Sequence, residues 1–188
     1  MGGSKSKNKG NAYERVVAKF LSELYNESFV RAAHSGAYIG GRNTYRKNTL
    51  SENQIKSFKG DIIPPDSWDH FNAEAKSYAD FPFHLLLTGE CKQLDSWLDQ
   101  LLDVEDEGDM NILFMKFNRI GQYVAVQPKL TWKMDNYIFY ASKEYGDWLI
   151  TELTSFFKNN QELVKLYSGT SDTTSNPTNS LITLNTQA

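Results

Sequence analysis

The segment from Phe71 to Tyr78 alternates with a period of two, and no other pattern in the chain constrains the fold as strongly. Consecutive side chains of a strand point to opposite faces, so Asn72, Glu74 and Lys76 share one face. The other face carries Phe71 and alanines. We therefore predict a strand that is apolar on one face and projects an acid and a lysine together from the other.

Helical and extended patterns alternate on both sides of this strand. Apolar residues recur at gaps of three and four over residues 11–25, 91–104 and 148–167, which predicts three helices. Short apolar runs predict further strands at residues 28–33, 61–63, 111–118 and 122–127. This order predicts an α/β fold with a central mixed sheet flanked by helices, the last of them C-terminal.

Three segments lack such periodicity. Residues 1–9 are polar and basic, and we expect them to form a flexible leader. Residues 168–188 are rich in Ser, Thr and Asn, and we expect a disordered polar tail there. Between them we expect a single domain over residues 10–167. A long basic stretch interrupts it, and this stretch predicts a mobile loop at residues 36–59, since structureless segments of that length are usually functional or mobile.

Composition excludes several classes of protein. No apolar run is long enough to span a bilayer, and the N-terminus lacks the apolar core of a signal peptide. The single cysteine, Cys91, excludes an intrachain disulfide and a cysteine-rich zinc site. We expect a cytoplasmic protein without a membrane partner.

The charge is divided unevenly along the chain. Residues 1–59 carry 11 Lys and Arg against 4 Asp and Glu, whereas residues 60–188 carry 9 against 19, for a net charge of −3. A basic first third on an acidic body can direct nucleic acid to one side of the protein. An acidic run at the end of the second predicted helix lacks calcium-loop spacing and predicts a solvated turn; its members are Asp103, Glu105, Asp106, Glu107 and Asp109.

The chemically informative cluster is Asp61 with Glu74 and Lys76. If the strands that carry Asp61 and Glu74 pair, the two carboxylates lie side by side and repel unless a cation separates them. Mg²⁺ favours such carboxylate and water oxygens, with Mn²⁺ as an alternative. A metal, a water and a nearby lysine are suited to phosphodiester hydrolysis.

Four motifs in this order resemble the archaeal-type Holliday-junction resolvases of the PD-(D/E)xK nuclease superfamily. They are Lys9 to Arg15, Val30 to Gly36, Gly60 to Ile63 and Glu74 to Ser77. The resemblance covers about residues 9–127 and extends to proteins of this kind from bacteriophages. It implies a restriction-endonuclease-like core. The chain departs from the pattern in its longer segment before Asp61, in Gly60 where the family has proline, and in its appended C-terminal part.

The resemblance also implies residue roles. Asp61 and Glu74 are the expected metal ligands, with Glu14 as the helix-borne acid that completes the site. Lys76 is the expected catalytic lysine, and Ser35 matches a serine of the family's mobile loop beside the scissile phosphate.

Further residues are expected to contact DNA. Basic side chains of the loop can hold phosphates, which positions a strand without reading its sequence. The candidates are Arg31, Arg42, Arg46, Lys47, Lys56 and Lys59, together with Gln93, which resembles a helix-borne glutamine of some superfamily members. A homodimer is the expected assembly, because a four-way junction presents two equivalent strands and a two-fold dimer supplies two matching sites.

The sequence therefore predicts a Mg²⁺-dependent endonuclease that resolves branched DNA in recombination or replication. The four-way junction is the most specific substrate prediction. Two alternatives remain open. One is a nuclease of the same fold that acts on linear duplex, flaps, single strands or RNA. The other is a protein of that fold that binds nucleic acid without cleaving it.

Overall fold

The computed structural model describes residues 3–33 and 59–169, and within these ranges three α-helices flank a five-stranded mixed sheet. The elements in chain order are α1 (Gly3–Tyr25), β1 (Val30–Arg31), β2 (Ile62–Ile63), β3 (Phe71–Tyr78), a 3₁₀ helix (Phe83–Thr88), α2 (Lys92–Leu102), β4 (Met110–Phe117), β5 (Gly121–Val126), β6 (Ile138–Ser142), β7 (Gly146–Glu152) and α3 (Leu153–Ser168). The predicted fold class is confirmed, including the C-terminal helix.

The main sheet has the strand order β3-β4-β5-β7-β6. Strands β3 and β4 are parallel, in a register that sets Glu74 opposite Leu113, and the other neighbours are antiparallel. Parallel neighbours need a crossover connection, which the 3₁₀ helix and α2 supply here. Strands β1 and β2 form a separate antiparallel ribbon. Strand β3, with its acid and lysine, is thus one of the two edge strands of the main sheet.

Each face of the main sheet is covered by helices. On one face, Ala73 and Ala75 of β3 and Phe114 of β4 belong to a core with α1 and α3. On the other, Leu113 and Met115 of β4 pack with the apolar face of α2. Alternate side chains of the same strands therefore enter two different cores, as the period of a strand requires.

Two helix boundaries differ from the sequence predictions. Helix α1 begins at Gly3, so most of the segment predicted as a flexible leader is helical. This segment contains no proline, so nothing interrupts the backbone hydrogen bonds that continue the helix toward the N-terminus.

The predicted helix over residues 148–167 is wrong in its first part. Its residues up to Glu152 form β7, which lies between β5 and β6. The run Trp148-Leu-Ile-Thr151 is rich in aromatic and β-branched residues, which favour strands. The helix starts at Leu153, where the Glu152 side chain accepts a hydrogen bond from the backbone N–H of Ser155 at 2.6 Å. Strand β6 was not predicted from the sequence either.

The predicted mobile loop falls almost wholly on residues 34–58 and the predicted tail on residues 170–188, both outside the described residues. Among the helices of the described ranges, none combines the length and the apolar character needed to cross a bilayer.

Candidate active site

Asp61 reaches the edge of β3 through a turn that only glycine fits. Gly60 has a φ of +67°, and a Cβ built on it would lie 2.4 Å from the backbone oxygen of Ala73. This close approach lets the N–H of Asp61 donate a hydrogen bond to that oxygen at 2.8 Å. Glycine at position 60, where the resembled family has proline, is therefore required by the local geometry.

The Asp61 side chain is fixed to the same strand. Its Oδ2 accepts a hydrogen bond from the backbone N–H of Ala75 at 3.0 Å. The backbone and the side chain of Asp61 thus bind β3 on either side of Glu74. The predicted pairing of the two acid-bearing strands is wrong, because β2 pairs with β1 in a separate ribbon. Asp61 is placed beside β3 by these two hydrogen bonds instead.

Both carboxyl groups of this pair are buried, since Asp61 is 5% exposed and Glu74 is 4% exposed. Burial and the charge of the adjacent Glu74 raise the pKa of Asp61 from 3.8 to about 7. The Ala75 N–H and the Lys76 charge act in the opposite direction but are weaker. A site of this kind favours a bound proton or a bound cation between its acids.

Lys76 lies beside the pair and is held at its ammonium group by two acceptors. Its Nζ donates to Oε2 of Glu74 at 2.7 Å and to Oε1 of Gln100 at 2.6 Å. Burial opposes the charged form, but the Glu74 and Asp61 carboxylates outweigh it and raise the pKa of Lys76. Lys76 is therefore a fixed cation in the metal-free protein.

Glu14 lies near the pair, on α1. Burial and the charge of Asp61 raise its pKa, whereas Arg31 lowers it. Its Oε2 forms an ion pair with Nε of Arg31, whose Nη2 also donates to Oδ1 of Asn11 at 3.1 Å. The charge of Asp61 therefore acts on Glu14, while the Glu14 carboxylate itself is ion-paired with Arg31.

The donor set fits a divalent cation through the Asp61 and Glu74 carboxylates. Mg²⁺ is often bound by one or two carboxylates and completes its shell with waters and substrate phosphates. Over residues 3–33 and 59–169, no three acidic, histidine or cysteine side chains converge in a metal-binding arrangement. Glu14 as a third ligand stays a prediction.

The other predicted residues either have partners outside the Asp61–Glu74–Lys76 cluster, or lie within the described residues without a hydrogen bond or ion pair to it, or lie outside the described chain. Lys59 is buried and pairs with Asp106 and Asp109, and Arg31 is engaged by Glu14. Gln93 is half-buried at the start of α2. The remaining candidates lie within residues 34–58, which the structure does not describe: Ser35, Arg42, Arg46, Lys47 and Lys56.

Gln100 was not predicted from the sequence. It lies seven positions after Gln93 on α2, which is two helical turns and hence the same side of the helix. This spacing could have pointed to Gln100, because residues two helical turns apart lie on the same side of a helix. The polar face of β3 also runs beneath α2, where Asn72 donates to the backbone oxygen of Leu101 at 2.8 Å.

The chain was compared with known proteins. A family model described as "Phage putative PDDEXK endonuclease" matches residues 5–165, which is most of the chain. No curated protein and no solved structure gives a significant match. The match includes most of α1, the Asp61–Glu74–Lys76 cluster and most of α3.

Proposed function

Because this chain belongs to the phage PDDEXK endonuclease family, we propose that it hydrolyses DNA phosphodiester bonds with a divalent cation held by Asp61 and Glu74. The observation that carries the proposal is the buried pair of carboxyl groups with the Lys76 ammonium 2.7 Å from one of them. Two buried acids and one fixed cation are costly to assemble, and catalysis supplies a reason to retain them.

The cation is proposed to be Mg²⁺, with Mn²⁺ as an alternative, because carboxylate oxygens suit both ions. When bound, it supplies Lewis-acid stabilisation of the phosphate and makes water more acidic. Asp61 must lose its proton to act as a ligand. The Ala75 N–H, which hydrogen-bonds Oδ2, keeps the carboxylate oriented when it does.

Lys76 serves as an electrostatic group in this proposal. Its ammonium is held by Glu74 and Gln100, so it can orient the attacking water and stabilise charge that develops on the phosphate. In the metal-free protein the Glu74 and Asp61 carboxylates raise the pKa of Lys76, so Nζ carries its proton before a cation binds.

The proposed substrate is branched DNA, and the four-way junction is the specific substrate that we propose. The proposed assembly that cuts it is a homodimer. The resemblance of four motifs to junction resolvases supports this choice, and so does the basic first third of the chain. Ser35 and the basic residues of segment 34–58 are proposed to hold the strand. Glu14 is proposed to join the cation when Arg31 turns to a phosphate.

The test is cleavage of a labelled four-way junction and of a linear duplex of the same sequence. Both are incubated with Mg²⁺ and with EDTA, with the Asp61→Asn variant as a matched control. Paired symmetric nicks in the junction alone, dependent on Mg²⁺ and lost in the variant, are expected.

The other outcomes separate the alternatives. Equal cutting of both substrates contradicts junction selectivity, and flap, fork, single-stranded and RNA substrates then identify the preferred one. Tight binding without cleavage under Mg²⁺ or Mn²⁺ contradicts a nuclease and favours a binding protein of this fold.

A further inference from the structure

Lys59 stands two residues before Asp61, and its ammonium group is buried. The side chain is 6% exposed and forms ion pairs with Asp109 and, at 3.0 Å, with Asp106. A cation that contacts phosphate must reach solvent, and Lys59 does not in this arrangement. Its charge is used inside the protein.

Asp109 is the fixed partner in this contact. Its side chain is 1% exposed, and its Oδ2 also accepts a hydrogen bond from the backbone N–H of Asp106 at 2.7 Å. Asp109 directly precedes Met110, whose N–H donates to the backbone oxygen of His70 at 2.6 Å as β4 begins beside β3. The acidic turn predicted to be solvated thus directs one buried carboxylate to Lys59 at the start of the parallel β3–β4 pair.

The Lys59–Asp109 contact lies at one end of the short turn that leads to Asp61. Gly60 separates Lys59 from Asp61 and passes too close to Ala73 for any side chain. On the far side, the N–H and Oδ2 of Asp61 are hydrogen-bonded to Ala73 and Ala75. The backbone at Asp61 is therefore held on both sides, by β3 after the turn and by Asp109 before it.

We propose that the Lys59–Asp109 ion pair is a positioning device that holds the turn before Asp61 and thereby sets the Asp61 carboxylate beside Glu74. Lys59 is a positioning residue in this account and does not contact DNA. The expected effect of this ion pair on metal binding rests on the proposed function. The order that the ion pair imposes on Asp61 is a property of the metal-free protein.

The test compares the full-length wild type with the double variant Lys59→Met/Asp109→Asn. This variant removes both charges without leaving one buried alone, and it keeps an acceptor for the Asp106 N–H. The double variant Lys143→Met/Glu90→Gln is the matched control, because it removes an ion pair whose members are both largely exposed.

Three properties are measured on each protein. The first is amide hydrogen exchange by NMR at Asp61 and Ala75, with amides of the β4–β5 pair as the reference for global stability. The second is the dissociation constant of Mn²⁺ measured by titration calorimetry, and the third is DNA binding in EDTA.

We expect faster exchange at Asp61 and Ala75 in the Lys59→Met/Asp109→Asn variant, with unchanged exchange in β4–β5. We expect Mn²⁺ to bind about 10- to 100-fold more weakly, the usual effect of losing a group that orients a ligand. DNA binding and the control variant stay at wild-type values.

Unchanged exchange and Mn²⁺ affinity in a variant that folds overturn the proposal, as does uniformly faster exchange across β4–β5. Weaker DNA binding with unchanged Mn²⁺ affinity also overturns it and assigns Lys59 to the DNA. Failure of the wild type to bind Mn²⁺ contradicts the proposed function instead, and exchange at Asp61 then decides the positioning role by itself.

Discussion

Oδ2 of Asp61 accepts a hydrogen bond from the backbone N–H of Ala75 at 3.0 Å. This contact joins a side chain from one segment to the edge of a strand from another, one residue beyond Glu74. Since β3 is an edge strand, its outward N–H has no strand partner in the main sheet and is available to a side chain. The open edge of the sheet therefore contributes directly to the geometry of the acid pair.

Removing either carboxylate is expected to abolish cleavage without unfolding the protein. Asp61→Asn and Glu74→Gln keep the shape of the side chains but remove the charge a cation needs. Single-turnover cleavage should fall by about 10³-fold or more, which corresponds to several kcal/mol of transition-state stabilisation. Circular dichroism and DNA binding in EDTA should stay at wild-type values. Residual activity above a tenth of wild type contradicts the assignment of that carboxylate.

The contact between Gln100 and Lys76 predicts a difference between two glutamines on one helix. Gln100→Ala removes an acceptor 2.6 Å from the Lys76 ammonium, whereas Gln93→Ala removes none. A hydrogen bond to a charged group contributes about 1.5–3 kcal/mol, so the cleavage rate of Gln100→Ala should fall about tenfold or more. Single-turnover rates at saturating protein separate this effect from DNA affinity. Equal losses in both variants would refute a specific role for Gln100.

Gly60 and Gly146 form a matched pair for testing the turn before Asp61. Both have positive φ, +67° and +75°, but a Cβ meets the Ala73 carbonyl only at Gly60, and none of the described atoms lies within 4 Å of one at Gly146. Gly146→Ala should lower the free energy of unfolding by about 1–2 kcal/mol through backbone strain alone. Gly60→Ala should lower it by about 2–5 kcal/mol because the clash is added. Urea denaturation measures both, and similar losses would contradict the close approach at Gly60.

The raised pKa of Asp61 predicts how stability varies with pH in the metal-free protein. Burial and Glu74 raise this pKa from 3.8 to about 7, so the native state binds more protons than the unfolded state between about pH 4 and pH 7. The Asp61 contribution to the free energy of unfolding is complete below about pH 4. It is lost as the pH rises through 7, with a slope of at most about 1.4 kcal/mol per pH unit.

Asp61→Asn removes this titration. The stability of the variant relative to the wild type should therefore increase as the pH rises from 4 to 7 and then become constant. Urea denaturation in EDTA at a series of pH values measures the difference. Parallel pH profiles for the two proteins would show that Asp61 ionises normally.

Strand β3 was predicted to the residue because its signal is local. Phe71 to Tyr78 alternates cleanly, and the structure pairs the whole segment with β4. The shared face of Glu74 and Lys76 follows from the same local pattern, since residues two apart on a strand share a face. Asp61 does not, because it lies outside this strand. The contacts of these side chains involve residues distant in sequence, and the local pattern did not predict them.

The last part of the chain shows why a local pattern can mislead. The run Trp148 to Ile150 is apolar and continues into a true helix, so its periodicity fits a helix as well as a buried strand. Pairing of β7 with both β5 and β6 decides for the strand. The partners in β5 lie more than 20 positions earlier in the chain, and the periodicity of the segment carries no information about them.

The sequence by itself determined the α/β class, the strand that carries Glu74 and Lys76, and the order of motifs that relates the chain to its superfamily. These follow from side-chain periodicity and from residue types at fixed spacing. The tertiary structure alone decided that Lys59 turns inward to Asp109, that Arg31 engages Glu14 and that Gln100 holds Lys76. The reason is physical. A charged side chain reaches solvent or a buried partner according to what lies opposite it, and the packing of distant elements sets that environment.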